Sequence, residues 1–362
     1  MAIPIYYPTL AECQNLRKYC DAKQYESPMG ICKLHLPADL NVHSLSADVV
    51  ATMRCKRPVY QTQFHPKIAG WCRLGLRSQK TRSIADVWAT SRPPLDSPAE
   101  FWATFGTQKP LYGSDCDGTA FTTNSLHLNA LFPNALQSLR VLKGINTPYL
   151  YLGTAGSAFG IHVEDLDTFS VNYMHGGPPT IWYTFARTDN AKFEQLMRQH
   201  YPADARACPE FIRHKVYLPA PHILEAAGIK VAMMEQHARD LIVTFPSGYH
   251  YGYNQGINVS EAINFVTASW VPLGQAAHWC DCVKGTLKIN FAELVFPADE
   301  LFTPQELYCT CQKEWDASKP MLQCDVCLTW YHYECVGVNV PYEDATYTCP
   351  TCCSPPPITA NT

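Results

Sequence analysis

Two sets of residues in this sequence could do metal chemistry. One is His162-x-Glu164 together with a distant histidine, His250. The other is a series near the C-terminus: Cys309, Cys311, Cys324, Cys327, His332, Cys335, Cys349 and Cys352. Two imidazoles and one carboxylate from separate strands make the facial triad of non-haem Fe(II) oxygenases, and three protein ligands leave positions open for a keto acid and O2. Eight thiolate and imidazole ligands suit two closed, tetrahedral zinc ions. An interleaved arrangement fits the spacing. Cys309, Cys311, His332 and Cys335 would take one zinc, and Cys324, Cys327, Cys349 and Cys352 the other. So short a segment has too little core to fold alone, so the metal would supply its stability.

A His-x-acid pair is weak evidence by itself, and a second one, His332-x-Glu334, lies inside the cysteine series. Context strengthens the first. His162 falls between two strand-like runs, and His250 sits in "FPSGYHYGYN" directly after the strand-like "DLIVTF".

The elements that must carry these residues are mostly β. From about residue 111 to 285 the runs "PYLYLG", "TFSVNYM", "TIWYTFA", "DLIVTF" and "AINFVTASW" are punctuated by Pro and Gly, as in an all-β barrel or sandwich. Helical inserts are expected at "DNAKFEQLMRQHY" and "PHILEAAG". Residues 1–40 read as an extended start, a short helix in "TLAECQNLRKYCDAK" and a strand in "GICKLHLP". Residues 41–110, rich in Pro, Ser and Arg, read as a mixed linker of loops and short helices. Residues 286–305 read as a linking helix, and 354–362 as a disordered tail.

Composition bounds the rest. A chain of 362 residues with 47% hydrophobic content can hold one large domain and one small one. Its net charge of −4 provides no basic field, so no direct sequence-specific nucleic-acid binding is expected, while a basic peptide is tolerated as partner. No apolar run is long enough to cross a bilayer, and "MAIPIYYPTLAEC" lacks the pattern of an export leader. Seventeen cysteines in a chain expected to be intracellular read as metal ligands before disulfides.

The segment 306–353 resembles a PHD finger along its whole length. Within it, Tyr308, Trp315, Met321 and Trp330 match the cage for trimethyl-lysine in fingers that read lysine 4 of histone H3. A quaternary ammonium has no hydrogen-bond donor, so ring faces and a thioether must recognise it. The stretch 111–285 resembles the JmjC domain of histone lysine demethylases, in the branch acting on lysine 9 and lysine 36 of histone H3. The motifs "YGSDCDGT", "GINTPYLYLG", "SVNYMH", "FIRHK" and "EAINF" occur in the family's order, and residues 1–40 resemble its JmjN segment.

The resemblance implies a double-stranded β-helix, that is, a cupin-like jelly roll with flanking helices, in a nuclear protein that meets chromatin through the methylated histone H3 tail. It implies Fe(II) at His162, Glu164 and His250, with 2-oxoglutarate contacted by Tyr112 and Asn172, and Lys215 on the oxygen side. It implies a methyl-lysine pocket at Gly144, Tyr149, Tyr151, Ala262, Ile263 and Asn264, and a structural zinc at Cys208, His214, Cys280 and Cys282. Seven cysteines are then left as expected buried thiols: Cys13, Cys20, Cys32, Cys55, Cys72, Cys116 and Cys353.

One position departs from the family. The lysine that grips the far carboxylate of 2-oxoglutarate, eighteen residues after the first iron histidine, is Thr180 here, inside the ungapped motif "HGGPPTIWY". Three accounts stay open. The barrel is a catalytically silent binder; or another cation, Lys215 or Arg187, takes the role; or Tyr112 and Thr180 hold 2-oxoglutarate weakly.

Overall fold

Alternation along the strands decides what faces the centre of this protein. In Thr180–Phe185 all six residues are buried, because the strand is covered on both faces. Ile181, Tyr183 and Phe185 point outward into a core shared with Phe193 and Met197 of the helix Asn190–His200. Thr180, Trp182 and Thr184 therefore point the other way. The neighbouring strand His250–Asn254 follows the same rule: Tyr251 and Tyr253 join the outer core, which turns His250 and Asn254 inward.

The computed structural model describes residues 2–56, 58–64, 70–282, 287–297, 309, 319, 321–326, 330–338, 346–349 and 352. It divides into two compact units, Met1–Pro297 and Ala298–Thr362. In the first, four strands form a sheet in the order Val231–Gln236, Thr180–Phe185, His250–Asn254, Ala158–His162. A second sheet has ten strands, with Asp240–Thr244, Phe169–Gly176, Asn258–Phe265, Tyr149–Gly153 and Leu111–Asp117 adjacent in that order. From residue 149 to 265 the chain passes back and forth between the two sheets, the winding of a jelly roll. The cavity between them is lined from both sides.

The N-terminal strand Ile31–His35 joins the large sheet beside Asp240–Thr244. Arg187 ties it down, donating to the carbonyls of Gln24 (2.8 Å) and Ser27 (3.0 Å).

Two sequence expectations need correction. Residues 41–110 were expected as loops and short helices, yet Val59–Phe64 and Trp71–Ser78 are strands that extend the large sheet. The inward residues of the first are Gln61 and Gln63, which inverts the usual polarity. Gln61 donates to the Ala158 carbonyl (2.6 Å) and accepts from the Ala158 amide (2.8 Å), pairing the edge of the strand that ends in His162. The described part of 286–305 holds only a 3-10 turn, Phe291–Glu293, not a helix. Its apolar residues Leu287, Ile289 and Phe291 recur every second position, an extended period, and pack on the core around Trp270.

A buried carboxylate binds the sheets' periphery together. Glu261 accepts from the Thr119 hydroxyl and the Ala120 amide (both 2.9 Å) and sits 3.1 Å from His175, whose other nitrogen meets the Ser44 hydroxyl at 2.7 Å. Removing one partner of such a group leaves the others buried and unpaired. We expect Glu261→Ala to destabilise the chain by roughly 3–5 kcal/mol in a denaturant titration. A loss under about 1 kcal/mol, the scale of a single ordinary hydrogen bond, would contradict the network's structural role.

Candidate metal centre and cavity

The strand pairing brings the metal-ligand candidates together. His162 ends one strand and His250 begins its antiparallel neighbour, directly opposite in register. Their rings lie 4.4 Å apart. Glu164 follows two residues later, its Oε1 3.5 Å from His250 Nε2. One ligand atom from each of the three lies within 4.8 Å of the others.

The tautomers are set by the backbone. His162 Nδ1 donates to the Gly160 carbonyl (2.7 Å) and His250 Nδ1 to the Gly248 carbonyl (3.0 Å). A carbonyl can only accept, so each Nε2 keeps its lone pair, the arrangement that orients metal-binding histidines. Burial above all, together with the neighbouring His250 and Lys215, holds the His162 imidazole well below its usual range, and so neutral. Burial alone would raise the Glu164 carboxyl, but the neighbouring His250 and the charge of Lys215 outweigh it and hold it well below the usual range. Asn264 donates to Glu164 Oε2 (3.2 Å) and to Thr168 (2.9 Å), which fixes the carboxylate's orientation.

These ligands open on a cavity of about 350 Å3 that Tyr112, Asn172, Thr180 and Lys215 also line. Gln236 orients Asn172, donating to its Oδ1 (3.0 Å) while accepting from Trp182 Nε1 (2.9 Å). Gly144, Tyr151, Ala262, Ile263 and Asn264 line the same space. Tyr149 lines an adjoining cleft of about 510 Å3, which shares Gly144, Tyr151 and Asn264 with the cavity. Gly144 has φ +75, and a Cβ there would lie 2.3 Å from the Tyr149 ring, so only glycine fits against that wall.

Thr180 lies at the other end of the cavity. It pairs with Asn254, whereas His250 pairs with Thr184, four residues along the strand or about 13 Å. The Thr180 hydroxyl donates to Asn254 Oδ1 (2.9 Å) and accepts from Asn258 Nδ2 (3.1 Å). Asn254 in turn donates to Ser157 Oγ (3.0 Å). Asn254, Asn258 and Ser157 were not foreseen. A sequence signal did exist for Asn254, since it lies two alternations from His250 and so shares its face.

The two alternative cations do not reach this end. Arg187 is not among the lining residues, and its guanidinium is occupied by backbone carbonyls. Lys215 lies 3.6 Å from Asp165 Oδ2. Burial works against its charge, but Asp165, Glu164 and Asp115 outweigh it and hold the ammonium above its usual range. Among the described lining residues Lys215 alone is a lysine or arginine.

Three further clusters have metal-ligand geometry. Cys208, His214, Cys280 and Cys282 converge in the first unit, with His214 Nε2 3.2 Å and Cys208 Sγ 3.5 Å from Cys280 Sγ. In the second unit, Cys309, His332 and Cys335 form one group, and Cys324, Cys349 and Cys352 another. These are the two interleaved sets, each short of one ligand, because Cys311 and Cys327 lie outside the described residues. Burial raises the Cys349 thiol, yet hydrogen bonds from Tyr331 and from Cys352 outweigh it and push it down to about 6, favouring the thiolate that zinc binds. Met321 and Trp330 lie on one hairpin, while Tyr308 and Trp315 fall outside the described residues. Of the cysteines left over, Cys13, Cys20, Cys32, Cys55, Cys72 and Cys116 are buried, and Cys353 is outside. No helix among the described residues is long and apolar enough to cross a membrane.

Comparison with known proteins agrees with this geometry. Residues 149–265 match the family described as "JmjC domain, hydroxylase", and residues 309–352 match the PHD-finger family. The chain is 31% identical over 311 residues to the probable lysine-specific demethylase 4F of Homo sapiens, covering 80% of this chain and 48% of that protein. It is 30% identical over 312 residues to the lysine-specific demethylase 4D of Rattus norvegicus, covering 80% and 60%. With the lysine-specific demethylase 4B of Mus musculus it shares 33% over 201 residues, 54% and 18% of the two chains. The chain thus spans about half the length of the first relative.

A JmjC domain implies Fe(II) and 2-oxoglutarate, and a PHD finger implies zinc. The donor set fits the iron: two imidazole nitrogens and one carboxylate converge, with open space beside them. The thiolate and imidazole clusters fit zinc. The far wall does not fit the second carboxylate of 2-oxoglutarate, because it offers neutral dipoles and no cation.

Proposed function

We propose, starting from a chain that carries a JmjC domain and a PHD finger and is homologous to the lysine-specific demethylase 4 proteins, that its barrel removes methyl groups from lysine on the histone H3 tail. Lysine 9 is the first target and lysine 36 the second. The observation that carries this reading is the triad His162, Glu164 and His250, which faces a cavity continuous with a second cleft. Iron held there supplies the O2 chemistry, and the rest falls to this chain's residues. Asn264 orients Glu164, and the Gly160 and Gly248 carbonyls orient the imidazoles. The methyl-lysine enters between Gly144, Tyr149 and Tyr151 and is held by shape and C–H···O contacts, since a methylated ammonium offers little else.

The finger reads trimethylated lysine 4 through a cage of Tyr308, Trp315, Met321 and Trp330. Tethering two tail-binding modules raises the local concentration of one at the other's target. On this reading the protein is nuclear and acts on chromatin.

A second reading has its own support. The uncharged wall at Thr180 favours a catalytically silent barrel kept as a reader or scaffold. Formaldehyde release from trimethylated H3 peptides by the iron-loaded chain, with a 2-oxo acid present, separates the two. We expect formaldehyde. Peptide binding with metal in place and no formaldehyde would establish the silent reading, and a hydroxylated product without formaldehyde would make the barrel a protein hydroxylase.

A further inference from the structure

We propose that the co-substrate pocket of this barrel is built for a 2-oxo acid whose far end is uncharged and hydrogen-bonding, a 2-oxo monoacid rather than a dicarboxylate. The inference rests on the oxygenase reading above and names the chemistry of its second substrate.

Tyr112, Thr180 and Asn254 line the far end of the cavity, and Asn258 and Ser157 back it through hydrogen bonds to Thr180 and Asn254. Thr180, Asn254, Asn258 and Ser157 are each 4% exposed or less. They form one connected set. Thr180 donates to Asn254 Oδ1 and accepts from Asn258 Nδ2, and Asn254 donates to Ser157 Oγ. Asn258 also donates to the Pro178 carbonyl (3.0 Å), and Tyr112 lines the same cavity. Every member is neutral, and Thr180, Asn254, Asn258 and Ser157 each have partners within the wall or its backbone.

A carboxylate brought to this wall sheds its hydration and gains no counter-charge. Any donor it takes must first leave a partner in the set. Burying an unpaired ion in this way is among the costliest events inside a protein. A neutral carbonyl, ester or hydroxyl loses far less on desolvation and needs no counter-charge from the wall. The distant cation cannot compensate. Lys215 lies 3.6 Å from Asp165 and shares the adjoining cleft with Asp115, Glu164 and Asp165, on the metal side of the cavity. Thr180 and Asn254 lie opposite each other in the ladder, so the wall is fixed by strand register and does not depend on a loop.

The test is calorimetry on the full chain loaded with Mn(II), which fills an N,N,O site without turning over. 2-Oxoglutarate, its 5-methyl ester and pyruvate are titrated in turn. The ester should bind at least tenfold more tightly than the diacid, and pyruvate more weakly than the ester. Thr180→Lys should reverse the order of ester and diacid. A wild-type chain that binds the diacid as tightly as the ester overturns the proposal and leaves the oxygenase reading intact. Pyruvate equal to the ester also overturns it, because the wall then recognises nothing. Binding of Mn(II) with none of the three acids overturns the proposal and the oxygenase reading together. The wild-type ratios decide by themselves if Thr180→Lys fails to fold.

Discussion

His250→Ala should cost the barrel its iron while sparing every zinc. The chain's Mn(II) or Fe(II) affinity should fall more than a hundredfold, and formaldehyde release should vanish. Two donors remain after the substitution, and one of them, Glu164, loses its partner at 3.5 Å. Changes one step further out are worth 10–100-fold in metal affinity, so loss of a ligand must exceed that. Asn264→Ala supplies the calibration. It removes the 3.2 Å donor to Glu164 without touching a ligand, so a 10–100-fold loss is expected. Metal content by elemental analysis, with calorimetric Mn(II) titration, reads both. The pair of results also tests the geometry: His250→Ala retaining full metal affinity would mean that the convergence of these three side chains is not a metal site.

The triad could be foreseen because its signals are local. His162 and Glu164 share a short motif, and "DLIVTF" announces a strand just before His250. Alternation then predicts which face His250 takes. The wall around Thr180 was harder to see. Asn254 lies on the same strand as His250, but its meeting with Thr180 is a matter of register between distant strands, and Ser157 arrives from a turn. No local pattern encodes such a pairing. The strand Val59–Phe64 hid for a different reason. Its inward residues Gln61 and Gln63 are polar and buried, satisfied by the Ala158 amide and carbonyl and by the Gly156 carbonyl. A hydrophobic period could not find it. The stretch 287–297 misled in the opposite direction: it has apolar residues enough for a helix, but at a spacing of two.

Thr180 shows how the two kinds of knowledge combine. A missing lysine, read alone, only weakens an expected contact. Three accounts then compete, and one of them moves the charge to Arg187. The structure removes that account, since Arg187 is bound to the carbonyls of Gln24 and Ser27 and fastens the N-terminal strand instead. Lys215 is withdrawn on different grounds, its partners being the acids of the metal side. What is left is a wall whose polarity has been completed without charge. A change of co-substrate class accounts for that completion more directly than decay does, because decay would leave buried polar atoms without partners, and this wall leaves none.

Trp330→Ala should abolish the finger's preference for a trimethylated lysine 4 peptide and leave its zinc untouched. The hairpin explains why these effects separate. Leu322 and Tyr331 face each other and are buried with Cys324, Tyr347 and Cys349 in the finger's small core. Trp330 is opposite Gln323, on the other face, which it shares with Met321 and His332; Met321 also packs against the core and His332 is buried. Trp330 is half-buried and does not belong to the core cluster. A ring stacked on a desolvated quaternary ammonium contributes about 2 kcal/mol, so its loss should weaken the trimethylated peptide roughly 30-fold and the unmodified peptide hardly at all. Cys349→Ser is the contrasting variant. Among the described residues half of the finger's buried cluster is cysteine, so a lost thiolate should release zinc and unfold the finger. Calorimetry with both peptides and a zinc assay on the intact chain distinguish the roles. Unchanged affinity in Trp330→Ala would make this tryptophan a packing residue, and zinc loss in that variant would place it in the core that the hairpin register keeps it out of.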